Sequence, residues 1–223
     1  MLRWLLFDIG STLLDETDAI RARAETSVEA LRGTPQECNF DTFWTLMSEA
    51  AAAGNAHPYH SVMKTLGSDV FMPWRKELEY PYPDALGLLE FLYPQYRLGI
   101  IANQSAGARQ HLGRWNLDKY FDVIIASSEV GIAKPDLRIF QTALSQANCN
   151  PENAVMIGDR LDNDIYPAKQ LGMKTIWVRQ GWGGMPEPAS EEYQPNYTAS
   201  SLTKIVPALI KLTSTSNRDQ IIL

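Results

Sequence analysis

Cysteine and histidine are scarce in this chain, long apolar runs are missing, and basic residues are outnumbered by acidic ones. Two of its 223 residues are cysteine and three are histidine. Cys38 and Cys149 lie far apart without the spacing of a metal module, so free thiols in a reducing compartment are expected. One early Arg and an N-terminal apolar run of a few residues make too short a stretch for a signal peptide or a membrane span, so no membrane partner and a cytoplasmic location are expected. The net charge of −6 argues against a nucleic-acid partner, which would want a basic face. A small phosphorylated ligand stays compatible, because local charge at a site outweighs the total. No internal repeat and no low-complexity tract occur. What is present is ordinary for a folded protein: 45% apolar and 21% charged residues, in a chain long enough for one α/β domain with a sizeable insertion or for two small domains.

Several short apolar runs end abruptly in small or polar residues. Leu2 to Phe7 stops at Asp8, Leu98 to Ala102 at Asn103, Val123 to Ala126 at Ser127, Ala154 to Ile157 at Gly158-Asp159, and Thr175 to Val178 at Arg179. Runs apolar on both faces suit buried strands of a parallel sheet. Helical patterns lie between them, as at Phe140, Ala143, Leu144 and Ala147 after Pro135-Asp136. The alternation predicts a Rossmann-like, doubly wound parallel sheet. One stretch breaks it. Residues 15–80 hold no convincing strand but carry a stripe of Ile20, Ala24, Val28 and Leu31, a helix from near Asn39 to Gly54, and shorter helical pieces at Val62–Leu66 and Met72–Leu78. An α/β core of residues 1–14 and 81–212, an all-helical cap of residues 15–80 and a frayed polar tail of 213–223 follow. A helix carrying Leu86, Leu89 and Leu92 re-enters the core.

In such sheets ligands bind beyond the carboxyl ends of the strands, where Asp8, Asn103 and Asp159 all fall. A carboxylate at a strand end costs desolvation unless something meets it. Asp8 alone reads equally well as a turn cap; a second strand-end carboxylate, Asp159, shifts the reading toward phosphoryl transfer. Asp8 would be the nucleophile, giving an aspartyl-phosphate. Lys134, in Val130-Gly131-Ile132-Ala133-Lys134-Pro135-Asp136, would cancel phosphate charge. Alone it would read as a surface lysine; its place before the Gly158-Asp159 turn argues otherwise. Asp8 and Asp159 would hold Mg²⁺, and Asp164 would support the site from one turn into the next helix.

In this order these residues resemble the haloacid dehalogenase superfamily of hydrolases, in subfamily I with a helical cap inserted after the first strand. "VGIAKPDLRIF" followed by "VMIGDRLDNDI" carries the resemblance. It implies a Mg²⁺-dependent phosphatase of a small phosphorylated metabolite, with the Gly10 carbonyl joining Asp8 and Asp159 at the metal and with Ser11, Asn103 and Lys134 facing the phosphate. Two positions depart from the pattern. Gly10 stands where the family's phosphatases usually carry an acid–base Asp, and Ala102 stands where a Ser or Thr ends the second strand. Gln104 or Ser105 is placed to compensate for Ala102; nothing obvious replaces the Asp. General acid–base help is worth about 10²–10⁴-fold, so a slow enzyme, or a binding or regulatory protein on the same scaffold, is the alternative. A dehalogenase would want Tyr at Gly10, and a carbon–phosphorus hydrolase a Schiff-base lysine, for which Lys64 and Lys76 are the cap's candidates. His57 and His60 read first as loop and helix-start residues, and as a substitute proton donor second. Asp162 reads as a helix cap, and Arg109 and His111 as members of a solvated helix face. Trp182-Gly183-Gly184 would line the pocket mouth or pack on the sheet edge. Oligomeric state is not encoded in any feature of the chain.

Overall fold

A computed structural model describes residues 1–218. The chain opens with β1 (Trp4–Phe7), a two-residue strand β2 (Leu14–Asp15), and helices α1 (Thr17–Leu31), α2 (Phe40–Ala52) and α3 (Pro58–Thr65). A second two-residue strand, β3 (Tyr80–Pro81), leads into α4 (Ala85–Leu92), β4 (Arg97–Ala102), α5 (Ala108–Gly113) and β5 (Val123–Ala126). The short α6 (Ser127–Val130) and α7 (Leu137–Gln146) precede β6 (Ala154–Gly158), α8 (Tyr166–Gln170), β7 (Lys174–Val178), β8 (Tyr197–Ala199) and α9 (Ile205–Arg218). Six strands form one parallel sheet in the order β5-β4-β1-β6-β7-β8.

Side chains on a strand point alternately to opposite faces, and β1 shows it. Leu5 and Phe7 enter a core with Leu89, Leu112 and Leu209 on one face. Trp4 and Leu6 enter another with Phe140, Ala143 and Ala168 on the other. The sheet is therefore wound with helices on both faces, as the unbroken apolar runs imply. β1 lies between β4 and β6, so the residues that follow these three strands emerge side by side at one edge.

The residues between β2 and β3 form a helical unit around a core of Ala24, Leu31, Phe43, Met47, Tyr59, Val62 and Met63. Asn39 caps α2 by accepting from the Thr42 amide at 2.8 Å. The two connections to the sheet pair as an antiparallel ribbon, Leu14 with Pro81 and Asp15 with Tyr80. Three expectations change. Met72–Leu78 is not a helix: only Lys76–Leu78 forms a single 3-10 turn. Met72 is instead tied down through its amide to Tyr59 Oη (2.8 Å) and through its carbonyl to Arg23 Nε (2.8 Å). On α4 the buried stripe is Ala85, Leu88, Leu89 and Leu92, while Leu86 is exposed. The expected tail is helical as far as Arg218, with the Thr213 hydroxyl returning to the Leu209 carbonyl; residues 219–223 of that expectation lie outside the described residues. β8 and the ribbon escaped the pattern reading. No helix among the described residues is long and apolar enough to cross a membrane. Cys38 and Cys149 are free.

Candidate active site

Asp8 follows β1 directly, its amide donating to the Ile157 carbonyl of β6 at 2.9 Å. The chain then folds into a tight turn in which the Ile9 carbonyl accepts from the Leu13 and Leu14 amides at 2.8 and 2.9 Å. Gln180 Nε2 holds the turn from outside through the Ser11 and Thr12 carbonyls (3.2 and 2.8 Å). Thr12 Oγ1 donates to Asp159 Oδ1 at 3.3 Å, and the buried Trp177 indole donates to the Asp159 carbonyl at 2.6 Å. After Arg160 the chain makes a π-helical turn, Leu161–Ile165. That turn swings Asp164 back beneath β6, where Asp164 Oδ2 accepts from the Arg160 amide at 3.0 Å. Gly158 is required there: a Cβ on it would lie 2.6 Å from Asp164 Cβ.

Lys134 is buried, and its ammonium donates to Asp8 Oδ1 at 2.7 Å and to Asp164 Oδ1 at 2.6 Å. Burial works against its charge, yet the two carboxylates more than offset this and hold the ammonium above its ordinary range. Asn103 fixes the lysine loop: its Oδ1 accepts from the Lys134 amide (2.7 Å) and its Nδ2 donates to the Lys134 carbonyl (2.9 Å). Both polar ends of the Asn103 side chain thus hold that loop, while Asn103 also lines the cavity. Ser11, the other expected phosphate-facing side chain, donates to Glu16 Oε2 at 3.0 Å.

Oxygens of Asp8, Asp159 and Asp164 lie within 4.8 Å of one another. Three buried carboxylates then face one ammonium, an excess of negative charge. Burial first, and the neighbouring carboxylates second, push Asp159 well up. Asp164 is raised to about 6, burial outweighing the lysine that lowers it. This donor set of hard oxygens, with no thiol or imidazole, fits a divalent cation of the magnesium type, which would relieve that repulsion. Asp164, expected one step behind the ligands, reaches the cluster itself.

Asp8, Lys134 and Asp159 open on a cavity of about 580 Å³ between the sheet edge and the helical unit. Its far wall carries Arg23, Tyr59 and the exposed His57 and His60. His60 stacks on Phe71 with ring centroids 5.1 Å apart, and neither histidine belongs to the carboxylate cluster. Trp182 both lines the cavity and packs edge-on against Trp44 of α2, centroids 5.0 Å apart. Arg160 reaches across to the Ala56 carbonyl at 3.1 Å while pairing with Asp162 at 2.6 Å. Asp162 is therefore an ion-pair partner and not a helix cap. Lys64 is exposed and stands apart from the cavity walls, and Lys76 reaches only a neighbouring mouth beside Glu16 and Ser105.

Two features were invisible in the pattern. His111, expected in solvent, is buried with Nε2 2.6 Å from Glu79 Oε2, and the Trp74 indole donates to Glu79 Oε1 at 2.5 Å. His111 and Glu79 are 32 apart in sequence, and only the fold brings them together. The second is Glu16. A Cβ on Gly10 would sit 2.7 Å from Glu16 Cδ, so this carboxyl fills the space beside Gly10. Glu16 keeps some surface on the cavity, but its carboxyl is desolvated. Burial, then the charge of Glu79, push it up to about 8.

Residues 5–178 match the haloacid dehalogenase-like hydrolase family, and the chain belongs to that family. It is 28% identical over 221 residues to a glyceraldehyde 3-phosphate phosphatase of Pyrococcus furiosus, covering 92% of each chain. It is 34% identical over 147 residues to the pyrimidine 5'-nucleotidase YjjG of Escherichia coli, covering 65% of this chain and 63% of that one. Among solved structures, a phosphatase of the same superfamily from Thermococcus onnurineus superposes with a TM-score of 0.67 at 26% identity, over 93% of this chain and 98% of that one.

Proposed function

We propose that this hydrolase is a phosphatase that acts on a small phosphorylated metabolite and depends on Mg²⁺. The observation that carries the reading is the Lys134 ammonium held between Asp8 and Asp164, with Asp159 beside them. A nucleophile needs a free carboxylate oxygen, and Asp8 opens on the cavity. Its oxygen would attack phosphorus as the ester oxygen leaves, giving an aspartyl-phosphate that water then hydrolyses. Lys134 would offset charge on the phosphoryl oxygens, and the Asn103 bonds keep its loop from drifting. Asp8, Asp159 and Asp164 are the residues that would hold Mg²⁺, which when bound adds positive charge where the dianionic ester meets the carboxylate. Arg160 and Trp182 span sheet and cap, so the cap would close on the β2–β3 ribbon and exclude water.

The cavity volume supports a metabolite of sugar-phosphate to nucleotide size, the range that the relatives' names also span. The test is turnover of an aryl phosphate and of a panel of phosphorylated metabolites with Mg²⁺ and with a chelator. Activity should require the metal and vanish in Asp8→Asn, with the fold kept by circular dichroism. Activity surviving that substitution, or none from the parent protein on any member of the panel, overturns the reading.

A further inference from the structure

Expelling an alkoxide from a phosphate ester is slow unless a neighbouring acid protonates it, so a proton donor must face the cavity. Several of the cavity's other titratable side chains are committed or remote. Asp8 carries the attack, Asp159 belongs to the cation cluster, and Asp162 is paired with Arg160. Glu187 is exposed and bound to Arg179. His57 and His60 are exposed on the cap, edge-on to each other, with His60 stacked on Phe71. Glu16 is left. It lines the same cavity as Asp8, and no cation pairs with it among the described residues. It stands at the N-cap of α1, yet its side chain makes no cap bond; Asp15 accepts from the Thr17 amide instead, at 2.9 Å. Its carboxyl turns back over Gly10, two residues beyond the nucleophile, and is steadied there by the Ser11 hydroxyl.

From this placement we propose that Glu16 is the acid–base catalyst of the reaction, its carboxyl standing in the space that the bare Gly10 leaves open. The inference rests on the phosphatase reading above. As Asp8 Oδ bonds to phosphorus and the P–O ester bond breaks, the Glu16 proton passes to the departing oxygen and the alcohol leaves. Glu16, now a carboxylate, takes a proton from water as that water's oxygen bonds to phosphorus. The Asp8–phosphorus bond breaks, and inorganic phosphate leaves. Glu16 directly follows β2, so the closure that covers the substrate also brings up the proton.

The test compares Glu16→Gln, which keeps the shape, on an alkyl phosphate and on 4-nitrophenyl phosphate. The alkyl ester should lose about 10²–10⁴-fold in kcat. The nitrophenyl ester, whose leaving group needs no proton, should give a burst of one nitrophenolate per enzyme followed by slow turnover, because the phosphoenzyme then waits for its base. A purely structural role would slow both esters alike and give no burst. Glu16→Ala frees the space beside Gly10, and adding Gly10→Asp to it should recover at least tenfold over Glu16→Ala alone. An alkyl phosphate turned over by Glu16→Gln within threefold of the parent, or no recovery in the double variant, overturns the assignment while Asp8→Asn still judges the phosphatase reading separately.

Discussion

Replacing Lys134 by Met removes the one cation from a buried cluster of three carboxylates, and the cost should depend on pH and on metal. Lys134 makes two short ion pairs and is 5% exposed. Removing one partner of such a buried set costs about 3–5 kcal/mol when the remaining charges stay ionised. They need not stay ionised. Asp164 already sits near 6 with the lysine beside it, above its unfolded value near 3.9. A carboxyl whose folded pKa is raised binds more protons folded than unfolded, so stability falls as pH rises through that window. Without Lys134 the folded pKa climbs further, and at pH 5 the variant carries Asp164 neutral. Lys134→Met should therefore lose about 3–5 kcal/mol at pH 8 and roughly 2 kcal/mol less at pH 5. Urea unfolding with a chelator, at the two pH values, reads this directly. Mg²⁺ at about a hundredfold over its dissociation constant should restore up to about 2.7 kcal/mol at pH 8, because the ion supplies the missing charge. An equal loss at both pH values, with no recovery by Mg²⁺, would refute the idea that charge excess and not packing governs this cluster.

Asn103→Ala frees the Lys134 loop from two hydrogen bonds. A displacement of about 1 Å at a charged catalytic group costs on the order of 10²-fold, so kcat should fall by about that much with KM little changed in steady-state kinetics. Gly158→Ala puts a Cβ against the Asp164 side chain and should weaken Mg²⁺ binding by about 10–100-fold in calorimetry; unchanged affinity would show that Asp164 stands outside the metal's reach.

The buried strands were readable because nothing in them alternates. β1, β4, β5, β6 and β7 are covered on both faces, so each appears in the sequence as an unbroken apolar run that stops where the sheet edge begins. β8 has one neighbour, β7, and consists of the half-buried Tyr197, the exposed Thr198 and the buried Ala199; three mixed residues at an edge leave no period to detect. The β2–β3 ribbon is shorter still, and its two halves are brought together by the ends of the helical insertion. Met72–Leu78 misleads because Met72, Trp74 and Leu78 imitate a helical stripe while the Met72 backbone is held by the distant Tyr59 and Arg23 side chains. His111 belongs to the same class of error: its surroundings on α5 are polar, and only the fold brings Glu79 to it.

At the reaction centre the readable and the hidden divide along a physical line. Asp8 and Asp159 announce themselves because each is a charged group at a place where the chain leaves a hydrophobic strand, a position that folding alone does not reward, and Lys134 is read from its place in the loop before α7. Glu16 announces nothing, since an acidic residue at a helix start is what helix electrostatics ordinarily favours. Its difference from an ordinary capping residue lies in a space, the missing side chain at Gly10, and a space has no letter in a sequence. The pattern reading could register Gly10 as a loss. It could not register that a carboxyl six residues later, carried on a longer side chain, fills the same volume. A departure from an expected catalytic pattern thus locates the region where a replacement must arrive in space, and chain proximity after a sharp turn makes the next acidic residue on the far side of that turn the first place to look.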